Sequence, residues 1–186
     1  HVGWRRVARA RPNAGHYAIA ALERRGDLCG VITQNVDGLH TKAGSSNVIE
    51  LHGRLSDAVC LDCGRRTDRV RVHRRLAELN PEFDERPVSV APDGDVELAS
   101  VAGFRVAPCE MCGGVLKPDV VFFGEAVPAD RVARCFALVD TAEAVLVAGS
   151  SLAVLSGFRF IRHAHGRGMP IVIVNRGETR ADECAT

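Results

Sequence analysis

Two cysteine pairs of the same spacing, Cys60-x-x-Cys63 and Cys109-x-x-Cys112, stand on either side of a long insert. Glycine follows each pair, as Cys63-Gly64 and Cys112-Gly113-Gly114. A chain that turns tightly there can aim both sulfurs of a pair at one point. Four thiolates suit a closed tetrahedral Zn2+ site, with no open position for chemistry. The pairs therefore predict one structural zinc, a stapled subdomain around it, and catalysis, if any, elsewhere. An iron–sulfur cluster and four unpaired core cysteines are the alternatives. Cys29, Cys135 and Cys184 have no partner at metal spacing. Seven cysteines with four given to metal fit a reducing compartment better than a disulfide scaffold.

Around the cysteines the chain reads as α/β. Asn13 is placed to cap a helix that runs to about Arg25, with Gly26 as its stop. Gly30 to Thr33 and Val48 to Leu51 are short extended segments. Val70 to Leu79 is helical in pattern, and Ala91-Pro92-Asp93-Gly94-Asp95 is a turn. Val120 to Phe123 is apolar and extended, closed by Gly124-Glu125. Pro128 opens a helix whose stripe is Val132, Cys135, Phe136 and Val139. Ala144 to Ala148 is continuously apolar, the mark of a central parallel strand. A helix over Leu155 to His165 and a strand over Ile171 to Val174 follow. The expected fold is a Rossmann-like open parallel sheet over 1–53 and 117–186, with residues 54–116 as an inserted zinc ribbon.

Three of these strands end in small polar clusters: Gln34-Asn35-Val36-Asp37-Gly38, Gly149-Ser150-Ser151, and Asn175. Ligands of open parallel sheets bind beyond the carboxyl ends of the strands. Amides, hydroxyls and one carboxylate gathered there suit ribose hydroxyls, a carboxamide and a phosphate, the last on the N–H groups of Gly149-Ser150-Ser151. Taken singly, such residues are ordinary turn formers. No G-x-G-x-x-G occurs. A formal net charge of +1 with 25% charged residues gives no general pull towards nucleic acid or an anionic membrane. No run approaches the ~18 apolar residues of a membrane span.

At these positions the chain resembles the sirtuin family of NAD-dependent protein deacylases. Thr33-Gln34-Asn35-Val36-Asp37-Gly38-Leu39-His40 is similar to one signature block, and Glu50-Leu51-His52-Gly53 to the block with the catalytic histidine. Lys117-Pro118-Asp119-Val120-Val121-Phe122-Phe123-Gly124-Glu125 resembles the segment lining the acyl-peptide channel. Gly149-Ser150-Ser151-Leu152 and Ile173-Val174-Asn175 resemble blocks that hold the adenosine half of NAD. Residues 10–16, 40–45 and 91–95 resemble the class that contains mitochondrial sirtuin 4 and bacterial relatives.

The resemblance implies acyl transfer from lysine to the ADP-ribose of NAD, with release of nicotinamide. It makes His52 the general base. Asn35 and Asp37 act at the nicotinamide ribose and amide, Gln34 touches the ribose, and Gly149, Ser150, Ser151 and Asn175 hold the adenosine side. Val121, Phe122, Phe123, Gly124 and Glu125 receive an acyl-lysine peptide as an added strand. The cofactors are NAD and one Zn2+. The compartment is the cytoplasm for a bacterial protein and the mitochondrion for a eukaryotic one. His16 and His40 are structural in this reading.

The family opens with a strand and a Gly-Ala-Gly-x-Ser loop that grips NAD, and no counterpart stands here; a last family strand, due soon after Asp182, is also missing. The expectation is an internal piece of a longer protein that turns over NAD slowly by itself. A catalytically silent zinc-stapled interaction module and a protein ADP-ribosyltransferase are the alternatives. A nucleic-acid zinc ribbon would need a basic, aromatic surface. The insert instead mixes Arg65, Arg66, Arg69, Arg71, Arg74 and Arg75 with Asp84, Glu85, Asp93, Asp95 and Glu97, and its only aromatics are Phe83 and Phe104.

Overall fold

The computed structural model describes residues 2–83, 87–90 and 96–186. The turn read at 91–95, with Asp84 and Glu85, lies outside the described residues. Helix α1 (Val2–Arg9) leads into α2 (Ala14–Arg24), whose N-terminus is closed by Asn13: its side chain accepts from His16 N–H at 3.2 Å. Strand β1 (Val31–Thr33), short helix α3 (Leu39–Lys42) and β2 (Val48–Glu50) follow, and β1 and β2 pair in parallel.

The chain then leaves for the cysteine unit. β3 (Gly53–Cys60), β4 (Arg66–Asp68) and β7 (Leu116–Val120) form an antiparallel sheet in the order β4-β3-β7. Helix α4 (Arg69–Leu79) covers it, started by Asp68, whose carboxylate accepts from Val70 and Arg71 N–H. β5 (Pro87–Val90) and β6 (Val96–Leu98) form a separate hairpin. This unit has its own small core of Ala58, Val72, Leu76 and Ala107, with Phe104 and Leu116 at its edge.

α5 (Ala129–Asp140), β8 (Val145–Ala148), α6 (Leu155–Gly166) and β9 (Ile171–Val174) return to the α/β frame, and a 3-10 turn spans Asp182–Cys184. The larger core joins Ile49 of β2 and Leu51 just after it to Cys135 and Val139 of α5, Val147 of β8 and Phe160 of α6. Phe136 and Phe160 meet edge-to-face, with ring centres 4.9 Å apart.

Two expectations need correction. The strand expected over Val120 to Phe123 lies at Leu116–Val120 instead, because its partner β3 takes it only as far as Gly53 opposite Val120. Beyond it the chain turns, held by Phe122 N–H on Glu125 Oε2 at 3.0 Å. β8 was read as a central parallel strand. It bonds β9 alone among the described residues, and Leu146, Val172 and Val174 are exposed while Val147 and Ile171 are buried. The parallel strands thus form two pairs, β1–β2 and β8–β9. Helices α1 and α3 and the strands β3, β4, β5 and β6 were not anticipated from the sequence.

Candidate functional site

Side-chain bonds tie the strand ends together. Gln34, just past β1, donates from Nε2 to Ser150 Oγ, just past β8, at 3.2 Å. Gly149 N–H donates to Val174 O at 2.8 Å, which locks the β8 and β9 ends side by side. His52, just past β2, has Nδ1 3.1 Å from Gln34 O and Nε2 2.7 Å from Ser156 Oγ on the first turn of α6. Gln34 therefore joins Ser150 and His52 across the two strand pairs, and Asn175 follows Val174, whose carbonyl takes the Gly149 N–H.

His52 is half-buried. Burial pushes its pKa below the ordinary histidine value, and the nearby Arg131 cation adds to this against the Gln34 carbonyl bond. The ring is thus neutral near pH 7 and able to accept a proton. Arg131 is itself placed by a bond from Nη1 to Leu51 O at 3.2 Å.

Asn35 is exposed, and its backbone N–H donates to Thr33 Oγ1 at 3.1 Å. Asp37 Oδ1 accepts from Leu39 N–H at 2.9 Å, so the carboxylate caps α3 and holds the loop's shape. Asn175 Nδ2 donates to Gly177 O at 3.1 Å. The Gly149-Ser150-Ser151 loop departs from expectation at Gly149. Gly149 N–H is spent on Val174 O, and the N–H groups of Leu152 and Ala153 go to Ser150 Oγ and Ser151 Oγ. The two serine oxygens accept from N–H groups beyond the three expected to face a phosphate, and so shape the turn. Buried Leu152 sits at φ 53, a left-handed conformation that a branched side chain adopts only under constraint. Hydroxyls, an exposed amide and a carboxylate in this cluster fit the ribose and carboxamide of a nicotinamide nucleotide.

On the other side of His52 lies the β7 edge. Val121 N–H donates to His52 O at 2.8 Å, so the loop after β7 is bolted to the backbone of the histidine itself. Lys117 Nζ lies 2.6 Å from Glu125 Oε2 and 4.9 Å from the centre of the Phe122 ring. Phe123 is 98% exposed and Phe122 50%, so neither is a core residue. Large apolar side chains this open beside a polar cluster mark a contact surface.

The four sulfurs of Cys60, Cys63, Cys109 and Cys112 lie within 4.8 Å of one another, with Cys60–Cys112 at 3.5 Å and Cys63–Cys109 at 3.8 Å. A tetrahedron with Zn–S bonds of about 2.3 Å has edges of about 3.8 Å, so the cluster has the size of one zinc site. Each knuckle is closed by a backbone bond, Gly64 N–H to Cys60 O and Gly113 N–H to Cys109 O. Backbone N–H groups of Cys112 and Met111 pull the Cys109 thiol down to about 7. Cys112 has a backbone donor from Gly114, yet the sulfurs of Cys63 and Cys60 push it up to about 12. Four sulfurs this close can all be thiolates only around a central cation.

Ser156, Arg131 and the Gln34 carbonyl escaped the sequence reading. Ser156 is the one with a signal, a small Ser156-Gly157 step opening a helix just after a strand-end loop.

A parallel α/β frame with a polar strand-end cluster and a four-cysteine staple defines a nucleotide-site protein with a metal-bound insert. The chain belongs to the Sir2 family, whose model matches residues 4–156. It is 56% identical to NAD-dependent protein deacetylase 1 of Mycobacterium avium, over 100% of this chain and 68% of that protein. It is equally close to NAD-dependent protein deacetylase 1 of Streptomyces coelicolor, over 100% of this chain and 62% of that protein. Among solved structures it resembles Sir2 with a p53 peptide and NAD+, at a TM-score of 0.76 and 33% identity, over 97% of this chain and 65% of that one. Sir2 bound to an acetylated peptide is matched at a TM-score of 0.77, over 97% of this chain and 65% of that one. The chain thus spans about two thirds of the length of these relatives. No helix among the described residues is long and apolar enough to cross a membrane.

Proposed function

We propose that this protein removes acyl groups from lysine side chains of proteins, using NAD and releasing nicotinamide. The observation that carries the reading is the neutral, half-buried His52, gripped by Gln34 O and Ser156 Oγ between a polar strand-end cluster and an edge suited to a peptide. The names of its relatives support it.

NAD supplies the electrophilic ribose carbon and the nicotinamide leaving group. His52 takes the proton of a ribose hydroxyl at Nε2, which turns that oxygen into a nucleophile. Asn35 and Asp37 orient the nicotinamide half, and Gln34 contacts the ribose. Gly149, Ser150, Ser151 and Asn175 hold the adenosine side through hydroxyls and amides. The 121–125 loop pairs with the substrate backbone, and Phe122 and Phe123 cover the lysine stem. The zinc takes no part in the chemistry. Residues 54–116 form its subdomain, a division supported by their separate small core, and 1–53 with 117–186 form the NAD-binding part. The bacterial relatives favour the cytoplasm.

The test is nicotinamide release and peptide deacetylation with NAD and an acetyl-lysine peptide. His52→Ala should lower kcat about 100- to 10,000-fold while the KM for NAD changes little. Asn35→Ala should also slow nicotinamide exchange, which precedes the base's step. If His52→Ala keeps more than about a third of wild-type deacylation, the base is misassigned.

A further inference from the structure

Strand β7 has two unlike faces. Leu116 packs on the small core of the cysteine unit and Val120 is buried. Lys117 and Asp119 alternate with them on the other face. Both charges there are paired. Asp119 Oδ2 accepts from Arg66 Nε of β4 at 2.7 Å. Lys117 Nζ lies 2.7 and 2.6 Å from the two carboxylate oxygens of Glu125, eight residues further on and past the end of the strand.

Glu125 belongs to the stretch expected to receive the peptide, yet its side chain turns back on its own loop. Its Oε2 accepts from Phe122 N–H at 3.0 Å, and its N–H donates to Phe122 O at 3.0 Å. Phe122 and Glu125 are thus bonded to each other twice, around a turn that Gly124 makes possible at φ +88. The same Lys117 ammonium stands 4.9 Å from the centre of the Phe122 ring. Lys117 and the Phe122 N–H hold the Glu125 carboxyl below the ordinary carboxylate range, so it is an anion at neutral pH. Val121 N–H is taken by His52 O, Phe122 N–H by the Glu125 carboxylate and Glu125 N–H by Phe122 O. The N–H groups of Phe123 and Gly124 have no partner among the described residues. A pair this open to solvent, with side chains 20% and 44% exposed, contributes little to global stability. What it fixes is local, the shape of the turn and the seat of one ring.

We propose that Glu125 and Lys117 are positioning residues for the peptide edge: the Glu125 carboxylate, fixed by Lys117, caps the Phe122 N–H, seats the Phe122 ring and leaves Phe123 with its backbone N–H to meet the substrate. This rests on the reading of residues 121–125 as the edge that receives the peptide. Glu125 serves the substrate without its side chain touching it. Because each charge of the pair is spent on the other, neither selects the charge of residues flanking the acyl-lysine.

The experiment compares Glu125→Ala, Glu125→Gln, Lys117→Arg and Lys117→Met in the full protein, with acetyl-lysine peptides whose flanks are either neutral or basic. Without ligands, hydrogen exchange of the Phe122 amide is read by NMR, with the Val121 amide as internal reference, since its bond goes to His52 O. The Phe122 amide should exchange slowly in the wild type and in Lys117→Arg, and about tenfold or more faster in Glu125→Ala, while Val121 stays protected. In turnover, Glu125→Ala and Lys117→Met should raise the KM for both peptides about five- to twentyfold, the cost of a misplaced binding edge, and leave kcat at saturating peptide and the KM for NAD within about twofold. Lys117→Arg should keep the wild-type KM, and Glu125→Gln, which retains an acceptor without the charge, should fall between. If Glu125→Ala folds poorly, Glu125→Gln and Lys117→Met carry the same comparison. Equal exchange of the Phe122 amide in wild type and Glu125→Ala, or an unchanged peptide KM in Glu125→Ala, overturns the proposal. So does a loss confined to the peptide with basic flanks, which would make Glu125 a direct substrate contact, or a joint fall in kcat, urea midpoint and protection of both amides. An unchanged peptide KM in Phe123→Ala would instead remove the peptide-edge reading, and the exchange arm would still decide whether Glu125 holds the loop.

Discussion

Gly53→Ala tests how the fold presents the base. Gly53 follows His52, opens β3 and sits at φ +82, where a side chain is strained. Its Cβ would stand 2.1 Å from Asp119 O, 3.0 Å from Asp119 C and 3.1 Å from Val120 Cα. All three are backbone atoms, so no flexible side chain can yield. The left-handed conformation costs roughly 1–2 kcal/mol for an L-residue. Forcing two paired strands apart costs roughly 1–3 kcal/mol more. The sum, about 2–5 kcal/mol, is a large share of the 5–15 kcal/mol or so that holds a typical domain. Gly26→Ala provides the comparison, since Gly26 has nearly the same φ, +83, with nothing within 4 Å of its Cβ. It should pay the conformational cost alone. With a urea slope of about 2 kcal/mol/M, Gly53→Ala should lower the unfolding midpoint by roughly 1–2.5 M and Gly26→Ala by about 0.5–1 M. Moving β7 would also break the Val121 N–H bond to His52 O, so any folded Gly53→Ala should lose deacylation. Equal midpoints for the two variants would refute the steric argument, and an active, stable Gly53→Ala would refute its link to the site.

Purified protein should carry one zinc, and Cys109→Ala should release it and cost much of the solubility, because structural zinc is coupled to folding; metal analysis under about 0.2 zinc per folded, unchelated chain would count against the site. Phe123→Ala should raise the KM for peptide severalfold yet leave stability within about 0.5 kcal/mol, since a ring this exposed has almost no burial to lose; a large drop in Tm would show it to be a core residue. His40 and His52 both have pKa values depressed by burial, so below the unfolded value near 6.5 the unfolded chain binds protons that the folded one refuses. Their contribution to stability is complete above that pH and is lost as pH falls from there towards the depressed folded values. The acid limb of kcat/KM, which reports the free enzyme, should lie below 6.5 for the same reason, and a limb above it would mean that His52 is not the titrating base.

Much of the local structure is written in neighbouring residues. Asn13 announces the start of α2 and Gly26 its stop, because a cap needs only a side chain within reach of N–H groups three residues away. The apolar stripe of α5 and the run of β9 are likewise short-range patterns. The cysteine knuckles are legible because each pair turns on its own glycine, although bringing Cys60 to Cys112 required the antiparallel pairing of β3 with β7. The polar strand ends could be read as a candidate site from composition and position alone. Whether each group faces a ligand or the protein could not. Ser150 and Ser151 turned their oxygens onto nearby N–H groups, and Asp37 capped α3, because local bonds compete for the same side chains. The exposed faces of Leu146 and Val172 show the same limit, since apolarity records what a strand can bury and neighbours decide what it does bury. Ser156 on Nε2, Gln34 O on Nδ1 and Arg131 behind the ring come from three separate stretches of chain. No sequence period connects them to His52. Only the docking of α5 and α6 against the strand ends sets their distances, and with them the tautomer and basicity of the imidazole.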